Sequence, residues 1–146
     1  MALRRVIALK PALVERIFVD TSAWFAYVNQ ADRRHAAVSR LLDPFEGRIV
    51  TSNFVLDEVV TLCLNRLGHA DARRVGELLL DPLVVDLVRV TGQDEAAAWD
   101  LFCHRPDKTY SYTDCTSFVL LRRLRVPRVA ALDEHFRQEG FEVEPA

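Results

Sequence analysis

The sequence predicts an α/β fold of three layers, with a mainly parallel central sheet between helices. Three observations carry that expectation. Short apolar runs alternate with helix-patterned stretches along the whole chain. Two of those runs end abruptly at an aspartate, after Val19 and after Leu132. And 146 residues, half of them hydrophobic and 27% charged, suffice to bury one real core.

Arg16 to Val19 reads as a buried strand that stops at Asp20. Thr21 and Ser22 offer cap oxygens for a short helix through Trp24, Phe25 and Tyr27. A second helix is expected over 32–42, stopped by Asp43-Pro44. Arg48 to Val50 is the next strand, and Thr51, Ser52 and Asn53 cap a helix over 54–66 that Gly68 closes. A helix over 70–80 ends before Asp81-Pro82. The β-branched run Val85 to Val90 is a strand. Helices follow over 93–104 and 113–124. Arg128 to Leu132 is a strand ending at Asp133, residues 134–138 make a helical turn that Gly140 breaks, and 141–143 form a last strand.

Composition excludes several classes. No apolar run approaches a membrane span. Lys10, Glu15 and Arg16 interrupt the N-terminal apolar residues, so 1–15 reads as an extension before a domain of residues 16–146, not as a secretory signal. Cys63, Cys103 and Cys115 are odd in number and widely spaced. Cys103-His104 lacks a second ligand pair, so the three are expected to be buried helix residues in a reducing cytoplasm. The net charge of −2 gives no global basic field.

In open parallel sheets, ligands bind beyond the carboxyl ends of the strands. Asp20 and Asp133 would therefore emerge at one edge. Glu58, one turn into the helix after the second strand, can reach the same edge. Asp114 starts a helix that follows a loop, so position alone places it less firmly. Each acid also has an ordinary role open to it. Asp20 can cap the next helix, Asp57-Glu58 can be a solvated face, Ser111 to Asp114 fits a capping box, and Asp133-Glu134 can be a simple turn. Four carboxylates at one locus repel one another, and a hard divalent cation, Mg²⁺ or Mn²⁺, resolves that conflict. Such an ion serves phosphodiester hydrolysis without a protein nucleophile.

Four segments then carry a resemblance: Phe18 to Trp24, Thr51 to Glu58, Tyr112 to Phe118, and Ala131 to Phe136 with Gly140-Phe141. In this order they resemble the PIN-domain ribonucleases, most closely the VapC toxins of prokaryotic toxin–antitoxin pairs, over about residues 16 to 144. The resemblance implies a PIN-like fold and a metal-binding catalytic quartet of Asp20, Glu58, Asp114 and Asp133. It also implies Mg²⁺ or Mn²⁺, endonucleolytic cleavage of RNA, an inhibitory antitoxin and often a toxin homodimer. Thr21 and Ser22 follow the first acid, so one of them is expected to support an acid or the metal, or to cap the helix.

Positive charge for an RNA path is expected from Arg105 and Lys108, with Arg33, Arg34 and Arg137 as further candidates, and Tyr110 and Tyr112 can stack on a base. His35 and His135 are given no role. The apolar residues between Phe54 and Leu80 exceed what a small domain need bury and can form a partner groove. Two other acidic α/β classes fit poorly. A dehalogenase-like phosphatase needs an acid where Ser22 stands, and a phosphoreceiver needs early paired acids and a late strand lysine. A non-catalytic binding module on the same fold stays open.

Overall fold

The computed structural model describes residue 3 and residues 14–146. Among them the order is β1 (Arg16–Val19), α1 (Thr21–Val28), α2 (His35–Leu42), β2 (Arg48–Ser52), α3 (Asn53–Leu67) and α4 (His69–Leu79). Then come β3 (Val85–Val88), α5 (Gly92–Cys103), α6 (Tyr112–Leu124), β4 (Arg128–Ala130), α7 (His135–Gln138) and β5 (Glu142–Glu144).

The strands form one sheet in the order β3-β2-β1-β4-β5, and every pairing is parallel. β1 is the middle strand, with Phe18 opposite Val50 on one side and Val129 on the other. Its Ile17, Phe18 and Val19 are fully buried. An apolar run without alternation is what a strand covered on both faces requires.

Right-handed crossovers put α1 to α4 on one face, because β1, β2 and β3 step in one direction. The connections to β4 and β5 step the other way and put α5 to α7 on the opposite face. The packing agrees: α3 lies against α4 and α1, whereas α5 lies against α6. Trp24 and Tyr27 fill one layer, and Phe118 and Phe136 the other, all fully buried. Gly68 ends α3 and begins α4 at φ +102°, a conformation costly for any residue with a Cβ.

The elements stand where the sequence places them, with shifts that have physical causes. The second helix starts at His35, not at 32, because Asp32 makes a turn whose carboxylate accepts from the Arg34 amide at 2.7 Å. β3 ends at Val88, since the Val90 amide leaves the ladder and donates to Asn53 Oδ1 at 2.8 Å. β4 ends at Ala130 and not at Leu132, because the Leu132 amide donates to Ser22 Oγ at 3.0 Å. Asp133 thus stands in a turn three residues past the strand.

Cys63 and Cys115 are buried as expected, but Cys103 is exposed, since it lies off the face of α5 that carries the buried Asp94 and Ala98. Most of the segment 1–15 lies outside the described residues. Of those described, Leu3 is partly buried against the core, and Glu15 accepts from the Arg48 amide at 2.8 Å and pairs with Arg128 at 3.0 Å. No helix of the described residues is long and apolar enough to cross a membrane.

Candidate active site

The connections from β1 run toward β2 in one direction, and β4 lies on its other side. Such a reversal leaves a crevice at the carboxyl edge of an open parallel sheet. Asp20 and the 131–134 turn flank it.

Asp20 follows the last residue of β1 and caps α1. It is only 3% exposed. Its Oδ2 accepts from the Ser22 hydroxyl at 3.0 Å and, more weakly, from the Ser22 amide at 3.4 Å. Its Oδ1 is buried without a hydrogen-bond partner. Burial first, then the charges of Asp114 and Asp133, push the Asp20 carboxyl up from 3.8 to about 8, against the Ser22 hydrogen bond, with a further push from Glu58. Asp20 therefore feels the charges of the other three predicted acids.

The other three arrive from separate elements. Glu58 is half-buried on α3, whereas its neighbour Asp57 is exposed. Helical geometry turns adjacent residues about 100° apart, so only one of the pair can face the crevice. Asp114 is the third residue of α6 and does form the capping box: its amide donates to Ser111 Oγ at 3.0 Å, and its Oδ2 accepts from the Ser111 amide at 2.9 Å. The cap holds the carboxylate without removing it from the crevice. The Asp133 side chain is more open than that of Asp114, at 39% exposed against 9%. Its carboxyl is also raised, by burial first and by Asp114, against the backbone bond from His135.

Of the two hydroxyls after Asp20, Ser22 is the one that touches the acid. It donates to Asp20 and accepts from Leu132, so it ties α1 to the turn carrying Asp133. Thr21 Oγ1 is buried without a partner.

The basic loop differs from its expectation. Arg105 Nε lies 2.8 Å from Glu139 Oε1, and Arg122 joins the same carboxylate at 2.8 Å. Burial pushes the Glu139 carboxyl up, but the two guanidinium groups outweigh it and the net shift is downward. Glu139 is a clamp that sequence reading missed: its partners stand 34 and 17 residues away, so no local motif announces it. Tyr110 is buried edge-on against Phe118 at 4.9 Å and cannot stack on a base, because the clamp draws its loop onto the domain. Tyr112 packs against Phe54 and donates to Glu95 O. Lys108 pairs with Asp107 at 3.5 Å and Arg137 with Glu134 at 2.8 Å.

The donor set around Asp20 is all carboxylate and hydroxyl oxygen, which suits a hard divalent cation and not zinc or copper. As they stand, no three acidic, histidine or cysteine side chains among the described residues are gathered closely enough to hold one ion. The buried, unpartnered Asp20 Oδ1 is the atom that most wants such a partner, so the residues fit the group.

A separate apolar groove of about 950 Å³ runs between α3 and α4. Leu56, Val60, Leu64 and Leu80 line it, with Arg73 and Asp57 among the charged residues alongside.

These features define a class: a parallel-sheet α/β/α domain with carboxylates converging where the strand order reverses. Residues 17–142 match the PIN domain, and the chain belongs to the PIN-domain family. It is 38% identical over 130 residues to the 23S rRNA-specific endonuclease VapC20 of Mycobacterium tuberculosis, spanning 88% of this chain and 98% of that one. The crystal structure of that protein, described as a toxin cleaving the sarcin–ricin loop, matches with a TM-score of 0.82 at 36% identity, covering 86% of this chain and 95% of that one. VapBC2 of Rickettsia felis, solved bound to a DNA fragment from its promoter, matches with a TM-score of 0.66 at 11% identity over 88% of this chain and 97% of that one, which shows a shared fold.

Proposed function

We propose that this chain is a Mg²⁺- or Mn²⁺-dependent endoribonuclease, the toxin of a toxin–antitoxin pair, with Asp20, Glu58, Asp114 and Asp133 as catalytic and metal-binding residues. One observation carries the reading: a buried Asp20 carboxyl, one oxygen unpartnered, that feels three further acids and no cation among the described residues. That arrangement is costly for a structural residue and useful only to something positive that arrives from outside.

The divalent ion, when bound, supplies a polarised phosphate and an activated water. The protein's own residues do the rest. Asp20, Asp114, Glu58 and Asp133 hold the ion. Ser22 fixes the Asp20 rotamer and keeps the Asp133 turn against α1. Thr21 adds a buried hydroxyl beside the same acid.

The likeness to VapC20 supports RNA as the substrate and makes 23S rRNA the first one to try. We also propose residues 16–146 as the nuclease domain, a homodimer, and a cytoplasmic site of action, as the family resemblance implies. The apolar α3/α4 groove suits an amphipathic segment of a small antitoxin, whose charged flank would meet Arg73 and Asp57.

The test is direct. Protein purified free of antitoxin is incubated with ribosomes and with mixed RNAs, with Mg²⁺, Mn²⁺ or chelator, beside Asp20→Asn. Metal-dependent cuts absent from the mutant are expected. No cleavage of any RNA, or equal cleavage by the mutant, removes the nuclease reading. For the groove, Val60→Glu should release a co-expressed antitoxin while leaving cleavage intact.

A further inference from the structure

We infer that His135 is a positioning residue of the acidic site, an inference that rests on the nuclease reading above. No other described residue donates to two of the four acids. Its ring Nδ1 lies 2.8 Å from Asp114 Oδ2, and its backbone amide donates to Asp133 Oδ1 at 3.1 Å. It therefore bridges an acid from α6 and an acid from the β4–α7 turn.

The bridge has a defined chemistry. Asp114 Oδ2 already accepts from the Ser111 amide, so with His135 it has two donors, while Oδ1 makes no hydrogen bond among the described residues. One oxygen is tied down and the other is left to act. Since Oδ2 can only accept, the imidazole must carry its proton on Nδ1. Thr109 Oγ1, 3.3 Å from Nε2, supports that tautomer as a donor from the outer side.

The ring is held where it stands. Tyr110 meets it edge-on at 5.4 Å, and Phe136, the next residue, is fully buried in the core. Tyr110 belongs to the loop that the Glu139 clamp fastens through Arg105. The clamp thus reaches the acids through Tyr110 and His135. Partners that orient a metal-binding carboxylate are worth tenfold to a hundredfold, roughly, in affinity or rate.

The experiment compares His135→Ala, His135→Asn and His135→Gln with the wild type. The Asn amide nitrogen can stand near the Nδ1 position, whereas the Gln nitrogen stands near Nε2. Three quantities are read: direct Mn²⁺ binding by calorimetry without RNA, kcat and KM for RNA, and thermal unfolding in chelator. His135→Ala and His135→Gln should weaken Mn²⁺ by about tenfold and lower kcat by about the same factor, with KM within about twofold. His135→Asn should recover to within about threefold of wild type, and all should unfold near the wild-type temperature. Wild-type Mn²⁺ affinity in His135→Ala, or an Asn variant no better than Ala, would overturn the inference. A purely structural ring would lower the unfolding temperature of Ala and Asn alike, which also overturns it. If the wild type itself binds no Mn²⁺, the metal reading falls and takes this inference with it, a result distinct from a wild type that binds beside an indifferent His135→Ala.

Discussion

Asp20 and Asp94 make an instructive pair. Each is 3% exposed and each sits at the start of a helix, Asp20 on α1 and Asp94 on α5. Asp94 closes a capping box with Thr91 and takes two hydrogen bonds from Arg123, at 2.9 and 2.7 Å. The Arg123 bond, set against burial and aided by Thr91, holds its carboxyl below the ordinary range. Asp20 has the same burial, one hydroxyl, one unpartnered oxygen and three acidic neighbours, and its carboxyl rises to about 8. Burial alone therefore says little about function. A buried charge with its counter-ion inside the chain is architecture. A buried carboxyl with no counter-ion among the described residues marks a candidate site.

The largest expected break in that contrast comes from Asp20→Asn. Cleavage should fall by at least about a hundredfold, since several kcal/mol of transition-state stabilisation goes with the metal site. The same change should stabilise the metal-free protein at pH 8. The sign follows from the raised carboxyl. Between pH 4 and 8 an unfolded Asp20 is ionised while the folded one keeps its proton, so folding stability falls as pH rises through that window. Below pH 4 both states are protonated and the gain should vanish. Urea unfolding in chelator at pH 4 and pH 8 checks it; a mutant less stable at both sinks the reading of Asp20 as an uncompensated charge.

Asp94→Ala should do the reverse. It removes a cap and leaves Arg123 without its partner, costing about 2 kcal/mol, while cleavage per folded molecule stays unchanged. Here the lowered carboxyl contributes stability above pH 4, and that contribution is lost as pH falls through the folded value. Lost activity at full folding would mean that α5 takes part in the site.

Ser22→Ala should cost about 1–2 kcal/mol and lower kcat severalfold, because both the Asp20 and Leu132 contacts go. Denaturation and kinetics on one preparation would separate the two effects. The smallest change is expected from Arg105→Ala. Its guanidinium is open to solvent and Glu139 keeps Arg122 as a partner, so unfolding should barely shift, and the salt dependence of RNA binding should not move. A shallower salt slope would return Arg105 to the RNA path.

Asp20 and Asp133 were legible because a strand that stops at an acid is a local signal. Even so, Asp133 stands farther out than its strand pattern suggests, since Ser22 captures the Leu132 amide from 110 residues away. Glu58 and Asp57 are adjacent helix positions, and no local pattern tells which one faces inward. Asp114 announced itself as a cap, and only the packed sheet shows that its carboxylate also lies close enough to Asp20 to raise it. The strand order, the Glu139 clamp, the burial of Tyr110 and the double contact of His135 are long-range facts. His135 left one faint trace, an imidazole two residues after an acid. Cys103 was misjudged because helix membership does not fix which face is covered.

The strand order has a consequence for timing. Synthesis delivers the acids as Asp20, then Glu58, then Asp114 and Asp133; β4, which flanks β1 on its other side, follows β2 and β3 along the chain, and β5 pairs with β4 in turn. A nascent chain that has released β1 to β3 owns half of the pocket and none of the wall opposite Asp20. The crevice gains its second wall only once β4 and the turn carrying Asp133 have joined the sheet, and a partly made copy has its edge still blunt.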